Sequence, residues 1–220
     1  AGAASFEDAA DYDTRVYGLG KGANTIRWTI TNEQCRTTDE IILTNNKANQ
    51  AWAGANQVLC NDSTRLAAND PGNHNGSWEV VSGSAVFNDP DKRNTFVNNL
   101  GLGDNILRWT IENEGCTSSA EVVVTNDMPS EAVAGDDIHV CGDETRLFAE
   151  DPSVGEGQWS LVSGSVTIEE PASHSTKVTE LGFGANTLRW TTQHNACRST
   201  DEIIVYNDLA YVYAGQDQVV

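Results

Sequence analysis

NTIRWTITNEQC (24–35), NILRWTIENEGC (105–116) and NTLRWTTQHNAC (186–197) are one segment met three times at a constant offset of 81 residues. In the middle copy, Leu107, Trp109 and Ile111 fall on one side of an extended chain, with Arg108 and Thr110 on the other, because successive strand side chains point to opposite faces. The likeness runs outward in the same register. SGSAVFNDP (82–90) superposes on SGSVTIEEP (163–171) and AGAASFEDA (1–9), and SSAEVVVTND (118–127) on TTDEIILTNN (37–46) and STDEIIVYND (199–208). Upstream, AGANQVLCNDSTRLAANDP (53–71) matches AGDDIHVCGDETRLFAEDP (134–152). Between 53–127 and 134–208, 33 of 75 positions are identical, so the chain is a tandem repeat before any element is assigned.

Each repeat reads as all-β. Short runs rich in Val, Ile, Leu, Thr and Trp alternate with Gly, Pro, Asn and Asp clusters, and no helical stripe survives beyond one turn. In 53–127 the pattern predicts strands near 56–60, 64–69, 77–82, 84–88, 94–98, 105–112 and 118–126. Seven short strands in one repeat is the count of an immunoglobulin-like β-sandwich. The expected domains are therefore 1–46, the C-terminal portion of one module; 53–127 and 134–208, complete modules; and 214–220, the first strand of a following one. That phasing implies a segment of a longer array. Trp78, Trp109, Trp159, Trp190 and Trp28 are the expected core tryptophans, and the LGKG, LGLG and LGFG segments (19–22, 100–103, 181–184) mark turns before the long strand. The tail 214–220 is not expected to complete the 1–46 portion of another copy, since the G-x-W strand would still be missing.

With 32 acidic and 13 basic side chains the formal charge is −19. Such a surface repels phosphate backbones and anionic lipid, which argues against nucleic-acid and membrane partners, and no apolar run approaches the ~20 residues of a spanning helix. Catalytic signatures such as G-x-S-x-G, H-E-x-x-H or a P-loop do not occur. The acidic pairs Asp89/Asp91 and Glu169/Glu170 become Asp8 followed by two alanines in the first copy, so they read as solvated turns and the segment as no enzyme. No cofactor is expected. No CxxC pair occurs and no His sits at ligand spacing from a Cys, which argues against zinc; for calcium, Asp127, Asp136 and Asp137 are weak candidate ligands, and the preceding junction has Asn45, Asn46, Ala55 and Asn56 instead. Arg27, Arg108 and Arg189 precede the strand Trp and either recognise anionic glycans or pair with carboxylates such as Glu121 and Glu202. The net charge favours pairing. Trp52, in the first linker, either meets sugar or packs between modules, and the apolar residues found in every linker, Val133, Val212 and Tyr213 in the others, favour packing.

Of the five cysteines, Cys60 and Cys141 follow the first strand of a repeat, and Cys35, Cys116 and Cys197 sit at the hairpin before the last strand. Pairing within a repeat would give Cys60–Cys116 and Cys141–Cys197. In an immunoglobulin-like sandwich those positions lie at opposite ends of a strand, whereas in a head-to-tail array Cys60 meets Cys197 of the next module. The inter-module pair Cys60–Cys197 is favoured and the within-repeat pairs remain the alternative.

The whole string AGxDxxxC…TRLxAxDP…GxW…VSG…LGxGxNxLRWT…C…VxND resembles the PKD-like, immunoglobulin-like repeats of very large secreted Bacteroidota proteins, among them gliding-motility adhesins of the SprB type and other type IX secretion cargo. That resemblance covers the full chain and implies a non-catalytic stalk or filament segment of an extracellular, cell-surface adhesin. Its partners would be neighbouring repeats of the same chain, with surface or substratum ligands held by other regions. The alternative implied is a glycan-binding or spacer array of a secreted hydrolase.

Overall fold

A computed structural model describes residues 4–210 and 212–217, and every helix or strand it contains there is a strand. The first copy supplies β1 (Ser5–Phe6), β2 (Val16–Tyr17), β3 (Gly22–Asn32) and β4 (Cys35–Asn45). The second supplies β5 (Gln57–Leu59), β6 (Thr64–Arg65), β7 (Asn75–Ser82), β8 (Val86–Phe87), β9 (Phe96–Asn98), β10 (Gly103–Asn113) and β11 (Cys116–Asn126). The third supplies β12 (Ile138–Val140), β13 (Thr145–Phe148), β14 (Glu156–Ser163), β15 (Thr167–Ile168), β16 (Ser175–Thr179), β17 (Gly184–His194) and β18 (Cys197–Asn207).

The last two copies share one topology. In the third, one sheet runs β12-β18-β17-β14 and the other β13-β16-β15; in the second, the orders are β5-β11-β10-β7 and β6-β9-β8. The first strand pairs parallel with the last, Ile138 beside Val205 and Val140 beside Asn207, and the hairpin β17–β18 is antiparallel throughout, from Gly184 opposite Asn207 to His194 opposite Cys197. This is a tandem immunoglobulin-like β-sandwich fold. Spatially, the chain gathers into two compact units, Ala1–Asn56 with Thr64–Asn98 and Ile106–Val123, and Gln57–Ser63 with Asn99–Asn105 and Val124–Val220.

Within the second unit both sheets of the third copy contribute to one core, Leu147 and Val178 from one and Trp159, Leu188, Trp190, Ile203 and Val205 from the other. The period of two is visible along β17, where Asn186, Leu188, Trp190 and Thr192 are buried and the residues between them only partly so. Trp159 lies directly across from Trp190 in the sheet, their ring centroids 5.2 Å apart and the planes tilted by 46°. The G-x-W spacing has a steric cause. Gly157 lies two residues before Trp159 on the same face, and a Cβ there would fall inside the Trp190 ring. In the first unit Gly76, Trp78 and Trp109 repeat the arrangement, again with centroids 5.2 Å apart and a Cβ at Gly76 falling into the Trp109 ring.

Trp28 departs from the expectation of a core position. It is 38% exposed, because β3 and β4 form a two-stranded sheet among the described residues and no G-x-W strand lies against β3. Local pattern is the same in all three copies; the cover is not.

A buried asparagine locks the start of each long strand. Asn186 Nδ2 donates to the carbonyls of Gly182, Gly184 and Val205 at 2.8, 3.1 and 3.3 Å, and its Oδ1 accepts from Ser165 N at 2.9 Å. Asn105 and Asn24 make the same three donations at their own positions. A second set, Asn45, Asn126 and Asn207, donates to Leu19, Leu100 and Leu181. Removing one partner leaves buried backbone groups without water or protein to satisfy them. Asn186→Ala is expected to lower unfolding stability by about 1–3 kcal/mol, read from the urea midpoint. A change within about 0.5 kcal/mol, the range of an ordinary surface substitution, would contradict this role.

Candidate functional site

The distinctive chemical feature is a disulfide in the second unit. Cys60 directly follows β5, whose Leu59 lies beside Asn126 of β11, with Asp127 N donating to Leu59 O at 2.8 Å. Cys197 opens β18 at the tip of the β17–β18 hairpin and is 2% exposed. Their sulfurs are bonded, with Cα atoms 5.3 Å apart and a separation of 137 positions in sequence. The register explains why Cys141 does not take that place. It lies just past Val140, opposite the far end of β18 from Cys197, and an 11-residue strand spans about 36 Å at ~3.3 Å per residue, against the ~7 Å limit of a disulfide. Cys35, Cys116 and Cys141 are exposed thiols without a disulfide partner among the described residues.

The linkers are tied down as well. In the second unit Ser130 N donates to Val154 O, Ala132 N to Ser199 Oγ and Ala134 N to Asp201 Oδ2, while Thr192 Oγ1 donates to Ser130 O. In the first unit Ala51 N donates to Ser118 Oγ, Asn113 Nδ2 to Asn46 O, and Trp52 exchanges bonds with Asn69 through its backbone. Ala48, Ala51, Ala53, Pro129, Ala132 and Ala134 are buried linker residues. Packing by Trp52 is corrected by this geometry. Lying between buried Ala51 and Ala53 on an extended chain, its ring points outward and is 56% exposed.

The candidate calcium ligands are otherwise engaged or dispersed. Asp137 Oδ1 accepts from Ile204 N at 2.8 Å, the place that Asn56 takes on Val123 in the preceding copy. Asp127 is buried and Asp136 exposed, and no group of three or more His, Cys, Asp or Glu side chains among the described residues is arranged to hold a metal ion. Asp8 and Asp89 cap their own turns, accepting from Ala10 N and Asp91 N. Lys92 and that amide hold the Asp89 carboxyl below the ordinary aspartate range; being depressed, it favours the folded state above the unfolded value, a contribution lost as pH falls through the folded one. Arg27 pairs with Glu40, Arg189 with Glu202, and Arg108 with both Glu121 and Glu79. Those carboxylates raise the Arg108 guanidinium further above its ordinary value. The repeated arginines thus tie neighbouring strands together across the sheet.

No family model and no curated protein matches the chain. Among solved structures it is similar to the insect immune protein hemolin, at 11% identity and TM-score 0.48 over 83% of this chain and 55% of that one. It is similar to a PKD domain solved in solution, at 23% identity and TM-score 0.31 over 39% of this chain and 93% of that one. A third likeness is to an endo-fucoidan hydrolase of glycoside hydrolase family 107, at 13% identity and TM-score 0.31; the match covers 92% of this chain, which spans 37% of the hydrolase's length.

Proposed function

We propose that this chain is a non-catalytic extracellular stalk or filament segment of a large bacterial surface adhesin, of the gliding-motility, type IX-secreted Bacteroidota kind that its repeat motif resembles. The observation that carries the reading is the Cys60–Cys197 disulfide, which joins the first strand of one repeat to the hairpin tip of the next. A cross-link between consecutive repeats has an obvious mechanical use and no catalytic one, and it persists where the surroundings are oxidising. Hydrogen-bonded linkers limit bending at the junctions, and the charge of −19 keeps a long array soluble and discourages self-association. The arrangement calls on no cofactor. Its partners are neighbouring repeats of its own chain, and adhesive ligands are held by other regions of the parent protein.

The exposed ring of Trp52 favours a second reading, a glycan-binding array of a secreted hydrolase. A glycan array separates the two. The stalk reading expects no saturable binding by the chain or by Trp52→Ala. Saturable binding of a defined sugar, lost in Trp52→Ala, would overturn it in favour of the second.

A further inference from the structure

Two cysteines of the second unit are held alike, and one of them is bonded. Cys60 directly follows β5, which runs parallel to β11 with Gln57 beside Val124 and Leu59 beside Asn126. Cys141 directly follows β12, which runs parallel to β18 with Ile138 beside Val205 and Val140 beside Asn207. The same two backbone bonds pin the chain around each. Asp127 N donates to Leu59 O and Leu100 N to Asp62 O, at 2.8 and 2.9 Å; Asp208 N donates to Val140 O and Leu181 N to Asp143 O, at 2.8 and 3.0 Å. Cys141 is thus presented as Cys60 is, but as an exposed thiol. The other half of the bridge is repeated as well. Cys197 opens β18 opposite His194 at a hairpin tip, and Cys35 and Cys116, both exposed, open β4 and β11 at the same phase of the repeat.

From this we infer a bonding rule, resting on the tandem-stalk reading of the function: the cysteine after a first strand bonds the hairpin-tip cysteine of the repeat that follows. Cys60–Cys197 is one instance. Cys141 is the site for the tip cysteine of a further copy, and Cys35 and Cys116 are tips for first-strand cysteines of the copies before theirs. Each bond joins two thiols; two protons and two electrons pass to a disulfide oxidant such as oxidised glutathione, which leaves as two thiols. A bridge spans 137 positions and the repeat only 81, so successive bridges overlap and residues 141–197 fall inside two closed loops. Load crossing that stretch is carried by two bridges beside the backbone, and reducing one leaves the other.

The test lengthens the chain in phase. Residues 1–208 are followed by a second copy of 128–208 in one chain and of 47–127 in another. Each is folded with reduced and oxidised glutathione beside the 220-residue chain, and iodoacetamide labelling with non-reducing peptide mapping locates the bridges. Both lengthened chains are expected to hold Cys60–Cys197 and a bridge from Cys141 to the tip cysteine of the added copy. Labelling of Cys141 should fall at least tenfold from its level in the 220-residue chain. Cys141→Ser should return the added tip cysteine to full labelling and leave Cys60–Cys197 in place. Cys141 labelled as fully in both lengthened chains as in the shorter one, or bridged to a second molecule instead, would overturn the rule. The glycan array reports on the stalk reading alone, so the two fail separately.

Discussion

Trp190→Ala is expected to destabilise the third repeat by about 3–5 kcal/mol, the usual loss for a large aromatic cut from a closed core. The ring is fully buried, rests on the bare backbone of Gly157, and meets Trp159 at 5.2 Å. Neither neighbour can move in to fill the cavity, since Gly157 has no side chain and Trp159 is fixed across the ladder. Against the roughly 5–15 kcal/mol that holds a typical domain together, such a loss brings the sandwich near its unfolding threshold. Trp28→Ala removes the same residue at the same phase of the repeat, but from a ring already 38% exposed, and should cost no more than about 1 kcal/mol. Urea unfolding of the two variants reads the difference. Equal losses would mean that cover by the G-x-W strand is not what stabilises the repeat.

That contrast also marks how far the sequence could be read. The alternation of Leu107, Trp109 and Ile111 settled the long strand and its buried face, and the 81-residue offset carried it to the other copies. Lengths were less legible. The strand expected over 64–69 is regular only at Thr64–Arg65; Leu66 N and Ala68 N still donate to Thr95 O and Arg93 O, and at Asn69 the backbone turns to the linker and bonds Trp52. Partners of that kind lie far off in sequence. Trp28 was misplaced for the same reason, burial being a property of what lies across the sheet. In the linker the large residue drew attention while the alanines beside it hold the buried positions. The locking asparagines Asn24, Asn105 and Asn186 were in plain view within LGxGxN, invariant in three copies, yet a polar residue beside a glycine turn reads as loop until its three carbonyl partners are seen. The pairing of Cys60 with Cys197 was favoured because a strand's length separates the within-repeat alternatives, an argument that needs only the rise per residue.

The proposed mechanical role makes the second large prediction, and single-molecule pulling on residues 1–220 tests it most directly. With the disulfide intact, the residues between Cys60 and Cys197, which stand 137 positions apart, are shielded from the load once their repeats unfold, because force passes through the sulfur bridge. Reduction releases them. At ~3.3–3.6 Å per extended residue, the fully unfolded chain should lengthen by roughly 450–490 Å on adding a reductant, and Cys197→Ser should show the longer contour without one. The sandwich cores, built on Trp, Leu and Val burial, should still unfold as discrete steps after reduction. The account predicts that gain in contour length together with retained unfolding steps; an unchanged contour length on reduction would contradict it.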